Sequence, residues 1–250
     1  MNRGTPSATG IRQDQPLTDA STPELLSALL RDWHGRAWVS GTGGGICGPT
    51  EDGNLFLAPT GVHKELVTPE DFFVVSPTDG TVLREPETPG LRPSECNAIF
   101  GLIARERGAR SVAHSHALTA VLAADLTAGA RRTTRSESGA RDELPIANLE
   151  MLKGIRGLTN RDVHRVAVID NTPREPDLVA ELRRVLDDPR FTSAHAVLVR
   201  DHGAYIWGED VWEAKRHVEV YHFLFEAMVA RHDRAVVTGG SYAAPKEDSR

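Results

Sequence analysis

The sequence predicts an α/β fold in which a mixed sheet is covered by helices. Three observations lead there. Short apolar runs end in Gly, Pro and Asn turns, as strands do. Longer stretches repeat apolar residues at helical spacing. The two kinds mix without the strict strand–helix alternation of a parallel barrel. At 250 residues the chain fits one large domain, and it carries no internal repeat.

The elements follow in order. Met1 to Ala20 is polar and rich in Gly, Pro, Ser and Thr, without the apolar core of a signal peptide, and reads as a disordered lead-in (residues 1–20). A helix starts at Thr22-Pro23-Glu24, with Thr22 as cap, Pro23 at the first helical position and Leu25, Leu26, Leu29 and Leu30 on one face. Val39 to Gly48 reads as a glycine-dense turn. Leu55 to Ala58 and Phe72 to Val75 are strands, and Thr78-Asp79-Gly80 turns into a short third one. Ser94 caps a helix that runs to Arg107 and stops at Gly108, with Ala98, Ile99, Leu102 and Ile103 as its apolar face. A strand ends in His114 and His116, and Ala117 to Leu126 is an apolar helix.

Thr127 to Glu143, polar and arginine-rich, reads as a mobile loop. A helix spans Asn148 to Ile155 and a strand Val166 to Ile169. Asn171-Thr172-Pro173 turns into a helix from Asp177 to Leu186. Strands Ala196 to Val199 and Ala204 to Trp207 flank Arg200-Asp201-His202-Gly203. Val211 to Arg231 is a long amphipathic helix, with Val211, Ala214, Val218, Tyr221, Phe225 and Met228 recurring three or four apart. The folded domain thus covers 21–237, followed by a flexible tail, 238–250.

Composition bounds the function. The chain is 40% hydrophobic and 26% charged, with net charge −6, which argues against a nucleic-acid surface. No apolar run approaches the roughly 20 residues that span a bilayer. Two cysteines, Cys47 and Cys96, are too few for a disulfide scaffold and fit a reducing cytoplasm.

The chemistry-bearing feature is Ser111-Val-Ala-His-Ser-His-Ala117. The period of two in a strand puts the imidazoles of His114 and His116 on one side, where both can chelate one divalent metal. His202, in a polar break between two apolar strands, offers a third imidazole; it also reads as a turn histidine bonded to backbone. His217, Glu219 and His222 share the long helix without a second copy of their pattern and read as helix surface or core. His34, His63, His164, His195 and His232 read as structural or exposed. The glycine run Gly41 to Gly45 reads as a tight turn or as a backbone cradle for a phosphate; it lacks the Gly-Lys-Ser/Thr of a P-loop. Glu95 at a helix start and Glu150, three residues before Lys153, read as a dipole-favoured acid and a surface ion pair, or as acid/base groups.

Taken together, AHSHA (Ala113 to Ala117), WVSGTGGGI (Trp38 to Ile46), APTGVHKE (Ala58 to Glu65), LEMLKGI (Leu149 to Ile155), the Asn171 to Pro173 turn and VLVRDHGAYIWGE (Val197 to Glu209) resemble the class II aldolase/adducin family. The resemblance implies a three-layer α/β/α sandwich with a mixed, largely antiparallel sheet. It implies one Zn(2+) per subunit on His114, His116 and His202, a sugar-phosphate substrate, and a homotetramer with sites between subunits. The branch most resembled dehydrates 5-methylthioribulose 1-phosphate in methionine salvage, and there Glu150 is the acid/base residue. The family's aldolases instead use a glutamate in the place of Glu95 and an asparagine in the place of Gly45. On the same resemblance Gly44, Gly45, Thr60, Gly61, Lys64, Ser94 and Lys153 are candidates to hold the phosphate. Glu95 and Cys96 fall at the pocket edge. An aldolase or epimerase using Glu95 and a non-catalytic adducin-like scaffold are the alternative functions.

Overall fold

The structure, a computed structural model, describes residues 12–13, 15–127 and 142–238. Among these, nine strands form one sheet in the order β4-β3-β2-β1-β5-β9-β8-β7-β6. They are β1 (Gly45–Pro49), β2 (Leu55–Leu57), β3 (Phe73–Val75), β4 (Val82–Arg84), β5 (Ser111–Ser115), β6 (Asp142–Ile146), β7 (His164–Ile169), β8 (Ala196–Val199) and β9 (Gly203–Gly208). Only the β7–β8 pair is parallel; every other neighbour is antiparallel.

Alternate residues of each central strand enter different cores, which is what makes three layers. Ala113, Ala204 and Ile206 face a core shared with α1 (Ser21–Gly35), α3 (Leu118–Asp125) and α5 (Val211–Val237). Val112, Tyr205 and Trp207 face the opposite core, filled by α2 (Asn97–Arg107) and α4 (Val179–Leu186). The expected α/β sandwich with a mixed, largely antiparallel sheet is therefore the fold observed.

Several local expectations need correcting. Thr22 is not a cap: it is buried inside α1, whose first turn instead closes through Ser21 Oγ accepting from the Thr18 N–H at 2.8 Å. The glycine-dense stretch does not stay a turn, because Gly45–Pro49 enters the sheet as β1 between β2 and β5. Gly48 has no side chain there because a Cβ would stand 3.1 Å from Leu26 of α1. On α2 the buried face takes Phe100, whereas Ala98 is exposed. The segment 148–155 is a 3-10 turn, Glu150–Gly154, held against α5 so closely that a Cβ at Gly154 would meet Val220 at 2.4 Å. The helix expected from Asp177 begins as a 3-10 turn, Glu175–Leu178, before α4. The end of the arginine-rich segment is the edge strand β6; residues 128–141 of that expected loop, residues 1–11 and 14 of the lead-in, and 239–250 of the tail lie outside the described residues. Among the described residues no helix is long and apolar enough to cross a membrane.

Candidate metal centre

Three chain segments meet at one end of the central strands. His114 is the fourth residue of β5 and pairs with Gly45 of β1 and Tyr205 of β9. His116 follows the strand, its N–H donating to Trp38 O at 2.8 Å. His202 sits in the tight β8–β9 turn, where Val199 pairs with Gly203. That turn presses on the end of β5: a Cβ at Gly203, φ +156, would lie 1.9 Å from Ser115 O. The close approach brings His202 beside a pair 86 and 88 residues earlier in the chain.

The Nε2 atoms of the three rings converge. His116 and His114 are 2.8 Å apart, His114 and His202 3.1 Å, and His116 and His202 3.2 Å. Ligands about 2.05 Å from a tetrahedral metal stand roughly 3.3 Å from one another, so the spacing suits a zinc-sized cation. The protonation pattern suits it as well. His114 Nδ1 lies 3.1 Å from Ala204 O, and His202 Nδ1 lies 3.0 Å from Asn171 Oδ1. A nitrogen facing a carbonyl oxygen donates, so in the neutral ring Nε2 keeps its lone pair for a metal. Burial holds both inner rings neutral: it lowers the His114 pKa and, with the repulsion that a proton on a neighbouring ring would add, takes His116 down to about 3. His114 is further fixed by Tyr205, stacked at 4.2 Å and 6°.

Sequence reading missed one member. Glu175 Oε1 lies 3.4 Å from His114 Nε2 and 3.6 Å from His202 Nε2, and the four residues form the group among the described ones that can hold a metal ion. Burial alone would raise the Glu175 carboxyl, but the neighbouring His114 and His202 outweigh that and hold it below the usual carboxylate range. Its other oxygen, Oε2, accepts from the Cys96 thiol at 2.7 Å. Cys96 is thus inside the site wall, whereas Glu95 is exposed.

The remaining candidates fall into two groups. Gly44 and Gly45 lie beside the histidines: a Cβ at Gly44, φ +74, would stand 2.7 Å from His114 O. Lys64 is almost completely buried, its Nζ donating to Thr42 O at 2.9 Å and Val62 O at 3.2 Å. A bridge between Pro59 and Pro93 joins Thr60 and Gly61 to the segment of Ser94, whose Oγ accepts from the Cys96 N–H at 3.2 Å. Arg92, which sequence reading passed over, points its guanidinium at the same place, 3.5 Å from where a Gly61 Cβ would be. Glu150 and Lys153 stand apart. Glu150 is 70% exposed and its carboxylate pairs with Lys153 at 2.6 Å, and among the described residues it lies outside the cluster of His114, His116, Glu175 and His202.

A sheet sandwich with three imidazoles meeting on a strand end and a hairpin turn defines a class of metal-binding α/β proteins. The chain's place within it follows from comparison: residues 24–229 match the Class II Aldolase and Adducin N-terminal domain profile, and the chain belongs to that family. It is 35% identical over 238 residues to the methylthioribulose-1-phosphate dehydratase of Blastomyces gilchristii, covering 88% of this chain and 93% of that one. With the Aspergillus fumigatus protein of the same name it is 37% identical over 233 residues, 86% and 92% of the two chains. Among solved structures it resembles an L-fuculose 1-phosphate aldolase, with TM-score 0.66, 18% identity and coverage of 94% and 95%. It also resembles YgbL of Escherichia coli, a putative aldolase/epimerase/decarboxylase, with TM-score 0.66, 18% identity and coverage of 86% and 92%.

Proposed function

We propose that this chain is a metal-dependent hydro-lyase that converts 5-methylthioribulose 1-phosphate to 5-methylthio-2,3-dioxopentyl 1-phosphate in methionine salvage, with zinc as its metal. The observation that carries the reading is the convergence of the three Nε2 lone pairs, in a chain whose relatives over most of its length bear the dehydratase name. Two buried free thiols suit the reducing cytoplasm.

The reaction removes the proton at C3 and the hydroxyl at C4 as water, and the resulting enol becomes the second ketone. His114, His116 and His202 would hold the metal, which when bound supplies Lewis acidity to the C2 and C3 oxygens and so eases loss of the C3 proton. His114 and His116 contribute by staying neutral, and the rings of His114 and His202 are each fixed by a carbonyl oxygen behind them. Glu150 is the proposed acid/base: its carboxylate takes the C3 proton and returns it to the C4 hydroxyl, which leaves as water. Its exposure supports a site completed between subunits of a homotetramer, with Glu150 of one copy reaching the histidines of another. The Gly44–Gly45 backbone, Thr60, Gly61 and Ser94, with Lys64, Lys153 or Arg92 as cations, are the proposed phosphate seat.

The test is conversion of methylthioribulose phosphate to the diketone by the zinc-loaded protein. Glu150→Gln should abolish it and retain the metal. Co-expression of Glu150→Gln with His114→Ala should restore part of the activity, since mixed oligomers then contain some intact shared sites. Retro-aldol cleavage that needs Glu95 and survives Glu150→Gln would assign the chain to the aldolases instead. A protein that binds no metal would match the adducin-like scaffold.

A further inference from the structure

We infer that Glu175 is a fourth, displaceable ligand of the metal, and that the Cys96 thiol is a positioning group that holds its carboxylate in place. This inference rests on the three-histidine metal reading above. It starts from an apparent misfit. His114 and His202 each spend their single N–H on a carbonyl oxygen, at Ala204 and Asn171. Both Nε2 atoms therefore present lone pairs to Glu175 Oε1, at 3.4 and 3.6 Å, with no proton between them. A carboxylate oxygen facing two imidazole lone pairs is repelled unless a cation lies among them. With His116 included, the four donor atoms fall within 4.8 Å of one another, and the Glu175 distances of 3.4 and 3.6 Å are near the roughly 3.3 Å edge of a tetrahedron around a zinc-sized ion.

The second carboxylate oxygen explains how the arrangement is kept. Oε2 lies 2.7 Å from Cys96 Sγ. At that distance from a carboxylate oxygen the thiol is the donor, since the oxygen can only accept. Cys96 is itself anchored. Its N–H is bonded to Ser94 Oγ, and its Sγ stands 3.8 Å from the hydroxyl of Tyr205, the ring stacked on His114. The donor thus belongs to the same packed unit as the histidines, and Glu175 arrives from the turn at Glu175–Leu178.

A metal with three imidazoles and a one-oxygen carboxylate is closed, whereas a catalytic metal needs a position for substrate. Glu175 is the ligand suited to leave. It is one of three partly exposed members, and the one that would be bound through one oxygen while the other is retained by Cys96. A substrate bringing two oxygens would compete with Oε1 for the metal, and the thiol would keep the displaced carboxylate beside the site.

The experiment measures zinc affinity of the full chain by competition with a chromophoric chelator, and the visible absorption of the cobalt-substituted protein. Glu175→Gln should weaken zinc by about 10–100-fold and alter the cobalt bands. Cys96→Ala should shift both in the same direction by less, and Cys96→Ser, which keeps a donor, should restore them. Circular dichroism establishes that each variant is folded. Zinc affinity within twofold of wild type and unchanged cobalt bands in both Glu175→Gln and Cys96→Ala would overturn the inference while leaving the three histidines standing. Loss of zinc binding in none of the histidine variants would overturn both readings at once.

Discussion

Asn171 Oδ1 accepts a hydrogen bond from His202 Nδ1 at 3.0 Å, and so ties the turn after β7 to the ring that completes the histidine triad. Asn171 is exposed and contributes nothing to either core. Its effect is on the ring: it selects the protonation state in which Nε2 is free. Asn171→Leu should therefore weaken zinc by roughly 10–100-fold and leave the thermal midpoint nearly unchanged. Chelator competition and a melting curve on the same preparation check this; an unchanged zinc affinity would remove Asn171 from the site.

Two glycines at the site should respond differently. A Cβ at Gly43 would come within 2.4 Å of His116 Nδ1, a side chain that can turn away. Gly43→Ala should cost metal affinity and activity more than stability. A Cβ at Gly203 would meet backbone, Ser115 O at 1.9 Å, which cannot turn. Gly203→Ala should destabilise the whole domain, by more than about 2 kcal/mol. Urea titrations of the two variants distinguish them.

Legibility in the sequence followed the range of the signal. His114 and His116 could be read because a strand encodes their shared face within three residues. The strands around His202 were equally plain, but its meeting with the pair came from family resemblance. Glu175 was invisible: it sits in a one-turn 3-10 segment with no periodicity, and reaches the site only because β7 pairs parallel with β8 and places its turn beside the β8–β9 hairpin. β1 was hidden because glycine and proline dilute its pattern, and the crossing of α1, which crowds Gly48, is not visible in the sequence. β6 was hidden because an edge strand tolerates charge and Pro145. The 3-10 turn at Glu150–Gly154 keeps helical spacing in sequence, and its tighter winding comes from contact with α5.

Lys64 offers a test of how the glycine-rich loop is held. Its buried ammonium donates to Thr42 O and Val62 O, and so joins the residue preceding Gly43 to the segment after Gly61. Burial lowers its pKa. Lys64→Met keeps the length of the side chain but strands two carbonyls, which costs about 1–3 kcal/mol. The glycine loop should then relax away from His116. Expected outcomes are a lower urea midpoint and a weaker KM for the phosphorylated substrate. If stability falls while KM is unchanged, Lys64 only braces the loop.

Away from the metal centre, the core carries histidines that should make the fold acid-sensitive. His164, 2.9 Å from Tyr221 Oη, and His195 are each lowered by burial to about 4. His222, stacked on Trp38 at 4.3 Å, is lowered by burial to about 3, and neither ring nitrogen has a hydrogen-bond partner among the described residues. In the unfolded chain each would take a proton near pH 6.5. Because the folded values lie lower, the unfolded state binds more protons below pH 6.5, and stability is lost as pH falls from there toward the folded values. His164 alone contributes roughly 3 kcal/mol over that window at about 1.4 kcal/mol per unit. His222→Phe replaces the ring by one of similar size that cannot protonate and leaves no orphaned nitrogen. Its stability at pH 7 should equal or exceed that of wild type, and its decline between pH 6.5 and 4 should be shallower by up to one proton. Urea unfolding across that range measures the slope, and an identical slope in the two proteins would show that His222 does not titrate with unfolding.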